Sequence, residues 1–296
     1  MKQFRLLAGA FLMTSFVMTS CMDDEAMIEQ DHATPRKIFL SGEITQVYQT
    51  RANDAGFCNG DAVGIYIVDY EGETAGKLLD EGNRADNVKY TFDEAAYKWV
   101  PIRDVYWKDT KTHIDVYGYY PFDTPDNVAS YSFKVQKDQS TAAESGKIGG
   151  YEASDFLWGK AENAAPTDKA IKIGFKHKMA SARVTLVEGT GFSEGEWAGT
   201  EKQVLLLNTI RKATIDLATG TVTPTGDMPS TGTIPYNHEN DFRAIIVPQT
   251  VASGTPLVSI TVGGTPYLFK KDEAFTYVPS KQHLSLIHIS EPTRPE

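Results

Sequence analysis

Lys111-Thr-His-Ile-Asp-Val-Tyr-Gly-Tyr-Tyr-Pro121 is the stretch on which the fold turns. Its residues alternate with the two-residue period of a strand. Ile114, Val116 and Tyr120 fall on one face, and His113, Asp115, Tyr117 and Tyr119 on the other. Pro121 has no N–H to donate and ends the ladder. Outward from it, Val63-Gly-Ile-Tyr-Ile-Val68 reads as a core strand buried on both faces. Asn87 to Phe92 and Tyr97 to Val100 read as a hairpin with Asp93 to Ala96 at its tip. Beyond Pro166 a second set follows at 171–175, 182–187, 204–210, 213–217, 242–247, 257–262 and 267–270, with a turn at Gly220. No helical period runs through the chain, and short Val/Ile/Thr/Tyr segments broken by Gly, Asn, Asp and Pro predict an all-β fold of antiparallel sandwiches. Glu162 to Asp168, polar and interrupted by proline, is the expected seam between domains at 37–168 and 169–283.

The first twenty residues carry a different signal. Lys2 and Arg5 give a positive head, and Leu6 to Val17 is an apolar run too short to span a bilayer but right for a signal-peptide core. Thr19 and Ser20 then precede Cys21, an order similar to a bacterial lipoprotein signal in which Cys21 becomes the lipidated first residue. Residues 21–36 read as a flexible acidic linker. Its Asp23-Asp24-Glu25 cluster resembles an export tag that carries lipoproteins of gut and oral anaerobes to the outer face of the outer membrane.

The formal net charge is -10, and no basic stripe is visible, so nucleic acid is excluded as a partner. The two cysteines are Cys21 and Cys58. With Cys21 lipidated, Cys58 has no partner for a disulfide, and it reads as a buried small hydrophobe or a free thiol.

A search for chemistry finds no catalytic constellation. The six histidines show no zinc spacing, and neither HExxH nor CxxC occurs. Acidic pairs such as Asp93-Glu94 and Asp272-Glu273 lie at expected turns, and no stretch has the alternating oxygen ligands of a calcium loop. There is no GxSxG elbow. Ser154, Asp155 and His177 could be assembled into a triad only as any chance set could. The expectation is no enzyme, no metal and no cofactor. Four tryptophans and fourteen tyrosines could line a sugar platform, but strand aromatics more often fill cores.

Several segments, taken in order, resemble the fimbrillin-like lipoproteins of gut and oral anaerobes. They are Phe39-Leu-Ser-Gly-Glu-Ile44 leading to Thr50-Arg-Ala52, Asn59-Gly-Asp-Ala-Val-Gly-Ile-Tyr66, Val88 to Phe92 with Trp99, Ile114 to Phe122, Asp155-Phe-Leu-Trp158 and Ile173 to Val184. The resemblance implies two tandem transthyretin-like sandwiches and assembly into surface fimbriae with other fimbrial subunits. It further implies anchoring in the outer membrane through lipid, and maturation by an arginine-specific extracellular protease. Removal of the first strand then opens a groove for a strand of another subunit. Arg51-Ala52 occupies the matching cleavage position, with Arg36 as the alternative. The removable strand is Lys37 to Thr50, with Ile38, Leu40, Ile44 and Val47 as apolar anchors. His177 is structural in this resemblance. The other reading is a monomeric surface lipoprotein that binds host glycans or proteins through exposed aromatics.

Leu284 to Arg294, LSLIHISEPTR, is similar to a translated sequencing-library adapter. Residues 284–296 are therefore expected not to be native, the other reading being an edge strand in which Leu284 and Leu286 alternate.

Overall fold

Twenty strands and two short helical turns follow one another in the computed structural model, which describes residues 35–45, 56–144 and 147–290. The first ten strands are β1 (Leu40–Ile44), β2 (Ala62–Glu71), β3 (Thr74–Ala75), β4 (Ala85–Asp93), β5 (Lys98–Pro101), β6 (Ile114–Tyr120), β7 (Tyr131–Lys134), β8 (Leu157–Ala164), β9 (Ile171–His177) and β10 (Ala180–Glu188). Then come β11 (Lys202–Leu206), β12 (Lys212–Asp216), β13 (Thr221–Thr225), β14 (Tyr236–His238) and β15 (Asp241–Ile246). The last five are β16 (Gln249–Val251), β17 (Pro256–Val262), β18 (Thr265–Lys270), β19 (Phe275–Tyr277) and β20 (Gln282–Ile289). Among the described residues no helix is long and apolar enough to cross a membrane.

The largest sheet runs β1-β9-β8-β6-β2-β4-β5, with β3 attached to β2. Its central strands are buried on both sides, as their continuous apolar runs demand. Ile114, Val116 and Tyr120 enter one core with Val63, Ile65 and Ile67. Tyr117 and Tyr119 enter a second, with Tyr66 and Val68. The hairpin expected at 87–100 is present as β4–β5. The β12–β13 hairpin turns at Gly220, whose φ of 67° only glycine adopts without strain.

Three features depart from the sequence reading. First, two ladders are parallel, β1 on β9 and β10 on β20, while the other strand ladders among the described residues are antiparallel. Parallel neighbours need long crossovers, and both pairs are distant in the chain. Second, the strands cross the seam expected at 162–168. β9 belongs to the first sheet beside β8, and β7 pairs with β12 in the sheet β13-β12-β7. Gln139, fully buried, closes the same junction. Its carboxamide donates to the Ile245 carbonyl at 2.8 Å and accepts the Ile245 N–H at 2.7 Å. A boundary at 168 therefore divides paired strands. Third, Cys58 is exposed, so it does not serve as a buried small hydrophobe.

A third core lies between the sheets β14-β15-β10-β20 and β11-β17-β18, where Val184, Leu186, Phe242 and Ala244 meet Val204, Val258 and Ile260. In β20, Ile287 and Ile289 pack on this core while Leu284 and Leu286 face solvent. β20 lies at the end of its sheet, with the two leucines on the outer face. At its base, His283 Nε2 accepts the Val278 N–H at 2.9 Å, between the rings of Phe275 and Tyr277. Burial lowers the His283 pKa from its ordinary value, and Lys271 and Lys281 act in the same direction. A folded-state value below the unfolded one contributes stability above the unfolded value of about 6.5, and loses it as pH falls. Acidification from about pH 7 to about pH 5 should therefore lower the melting temperature more in the wild type than in His283→Gln. Equal shifts in a calorimetric comparison would show that this contact does not titrate.

Candidate functional site

The two halves of the chain segment 36–45 pair with different neighbours. Its leading half pairs with the connection before β6. The Ile38 N–H donates to the Val105 carbonyl at 2.8 Å, and the Trp107 N–H donates to the Arg36 carbonyl at 2.9 Å. Its trailing half, β1, runs parallel to β9 from Leu40 opposite Ile171 to Ile44 opposite Phe175. The Thr45 N–H and hydroxyl both donate to the Phe175 carbonyl. Among the described residues β1 is the terminal strand of its sheet, paired through its ladder to β9.

Alternation sorts the side chains. Ile38 and Leu40 are 4% and 8% exposed, Ile44 is half-buried on the same core, and Phe39 points to solvent. Three ion pairs tie the outer positions down. Arg36 holds Asp168 through two hydrogen bonds of 2.5 and 2.6 Å, Lys37 lies 2.6 Å from Asp104, and Glu43 lies 2.7 Å from Lys172. Hydrogen bonding to Lys37 keeps the Asp104 carboxyl below the usual carboxylate range. All three pairs are solvent-exposed and align the strand more than they hold it.

The floor beneath β1 is aromatic. Phe175 and Trp99 face Gly42, where a Cβ would lie 2.9 Å from the Phe175 ring and 3.1 Å from Trp99 Nε1. Phe57 stands edge-on to both rings, at 5.3 and 4.8 Å between centroids. The buried Tyr90 hydroxyl and Trp99 indole N–H have no hydrogen-bond partner. A cavity of about 10 Å³ remains between β1 and this floor.

Of the sequence-predicted positions, Ile38, Leu40 and Ile44 converge on this slot and Arg36 borders it. Cys21, Val47, Arg51 and Ala52 lie outside the described residues. The reading missed Gly42, Phe175 and Trp99 as the point of closest approach. An isolated glycine inside an alternating strand is the signal that marks it.

The short motifs quoted from the sequence turn out to be partners of one another. Asp61 of the Gly60-Asp61 turn accepts the Tyr120 hydroxyl at 3.1 Å and the Cys58 N–H at 2.7 Å. A Cβ on Gly64 would lie 2.2 Å from the Tyr119 ring. His177 Nδ1 meets Asp155 Oδ1 at 2.8 Å, and both residues are buried. Ser154, fully buried, spends its hydroxyl on the Gly150 carbonyl and the Gln136 N–H. These three residues form a packed support rather than a triad open to substrate. Among the described residues no group of histidine, cysteine and acidic side chains is arranged to hold a metal ion.

Trp99, Trp107 and Trp197 are buried. Trp158 is half-covered, with its indole N–H donated to the Leu217 carbonyl. The indole rings are therefore committed to the cores and do not form an exposed stacking platform.

The family model for fimbrillin-like proteins matches residues 50–296. The chain belongs to the fimbrillin-like family. Motif pairs joining Asp61 to Tyr120 and Asp155 to His177 all fall inside the matched region, whereas β1 precedes it. Solved structures share the fold of this fimbrillin-like protein. A candidate cell adhesion protein of Bacteroides uniformis superposes with a TM-score of 0.62 at 20% identity, covering 86% of this chain and 93% of the other. A candidate cell adhesion protein of Bacteroides ovatus gives 0.60 at 14% identity, covering 86% and 92%. A fimbrial protein of the same species gives 0.51 at 14% identity, covering 86% of this chain and half of the other. No curated protein matches the chain. The fimbrillin-like assignment places the chain in a family of fimbrial proteins and not of enzymes.

Proposed function

We propose that this fimbrillin-like protein is a fimbrial subunit or accessory component that contributes to adhesion and assembles by exchange of its first strand. In this reading Cys21 is lipidated and anchors the precursor in the outer membrane, facing outward. An arginine-specific extracellular protease then cuts between Arg51 and Ala52, β1 leaves, and a strand from another fimbrial subunit takes its place.

The observation that carries the reading is β1 itself, a terminal strand seated on an aromatic floor and joined to β2 by the long connection that contains Arg51. Burial of Ile38, Leu40 and half of Ile44 contributes roughly 4–8 kcal/mol gross, comparable to the whole stability of many domains. A vacated slot of that depth favours strand addition, because main-chain hydrogen bonds and apolar pockets are both left open. The same edge exposed inside the cell would be an aggregation hazard, which gives a physical reason for delaying its release. Arg36 suits the protease less well. Its side chain is clamped by Asp168 and its carbonyl by Trp107, and cutting there leaves β1 attached.

Arg51→Ala is expected to leave lipidated monomers on the cell and no polymer, read by electron microscopy and by the loss of high-mass species on denaturing gels. Fimbriae unchanged in number and length would remove the mechanism.

A further inference from the structure

We propose that the slot beneath β1 selects its occupant at a single position. It accepts a strand running parallel to β9 only when glycine sits over Phe175, with apolar residues two positions before and two after. This rests on the strand-exchange reading above and names the chemistry of the incoming partner, an extended segment of the pattern apolar-x-Gly-x-apolar. The present occupant has that pattern as Leu40-Ser41-Gly42-Glu43-Ile44.

The constraint comes from the floor and not from β1. Any Cβ at position 42 points at the Phe175 ring edge, 2.9 Å away, and at Trp99 Nε1, 3.1 Å away. Both rings are packed on their other sides. Phe175 is backed by β6, where a Cβ on Gly118 would lie 2.7 Å from its far edge. Trp99 is wedged between Phe57 and Phe92, at 4.8 and 5.3 Å between centroids. Phe175 thus lies between two glycines on separate strands, Gly42 and Gly118, and a side chain added on either one must displace a packed ring. The positions on either side of Gly42 face outward. Ser41 is half-buried, and Glu43 pairs with the exposed Lys172, so these positions tolerate variation.

The test uses the full chain carrying a site-specific protease sequence within residues 46–55, cut after purification. Fluorescent peptides of residues 36–45 bearing Gly, Ala or Val at position 42 are then added, and exchange is followed by anisotropy. The Gly peptide should enter, and the Val peptide should bind at least about tenfold more weakly, as expected for overpacking a closed core. Ala should fall between them. In the Phe175→Leu protein, which lacks the clashing ring edge, the Val peptide should regain most of the loss. Equal affinity of the Gly and Val peptides for the wild-type slot overturns the filter while leaving strand exchange intact. Failure of every peptide to enter overturns strand exchange and the filter together.

Discussion

Phe175→Ala is expected to cost about 3–5 kcal/mol, the range for removing a large aromatic side chain from a closed core. Phe175 is 1% exposed and touches β1, β6 and Phe57 at once, so little can collapse into the space it leaves. A loss of that size is a large fraction of a total stability of about 5–15 kcal/mol. Two readouts separate a general from a local effect. Chemical denaturation should show a reduced midpoint, and hydrogen exchange should show amides of residues 38–45 losing protection well before those of β10 and β15. If β1 keeps full protection in this variant, its hold comes from the ion pairs and ladder rather than from the aromatic floor.

Lys160→Met should be comparably damaging through a different cause. Asp115 is 1% exposed near the start of β6. Its carboxylate lies 2.9 Å from Lys160 Nζ and accepts the Asn163 N–H at 2.8 Å. Burial pulls the Lys160 pKa down, but hydrogen bonds to Glu162 and Asp115 outweigh it, so the amine stays above its ordinary value and charged. Removing the lysine leaves a buried carboxylate without its counter-charge, which costs about 3–5 kcal/mol, whereas replacing both partners by apolar groups is often close to neutral. The double variant Asp115→Leu, Lys160→Met should therefore be more stable than Lys160→Met alone. A double-mutant cycle with no coupling between the two sites would show that the pair contributes nothing specific.

Local pattern made the strands legible but not their partners. The alternation of Ile114, Val116 and Tyr120 against Tyr117 and Tyr119 placed each side chain on the correct side of β6, because a strand period of two is written in consecutive residues. The hairpin tip at 93–96 and the turn at Gly220 were legible for the same reason. The pairing of β1 with β9 was not, since nothing within Leu40–Ile44 specifies a neighbour at Ile171–Phe175. The crossing of β7 onto β12 was hidden in the same way, which is why the seam at 162–168 read as a boundary. The slot was half legible. Its apolar anchors Ile38, Leu40 and Ile44 stood out, but the floor residues Trp99 and Phe175 carried no mark of meeting Gly42. Asp115 looked like an ordinary polar-face residue because its partner Lys160 sits on another strand.

The ladder between β7 and β12, with the Gln139 carboxamide bonded twice to Ile245, bears on how the molecule would respond to being pulled. A load entering through the early strands reaches the late ones across hydrogen bonds and a shared core, not along a slack tether. The two halves cannot be drawn apart without shearing that junction, so stretching should produce one rupture event at high force instead of two successive weaker ones.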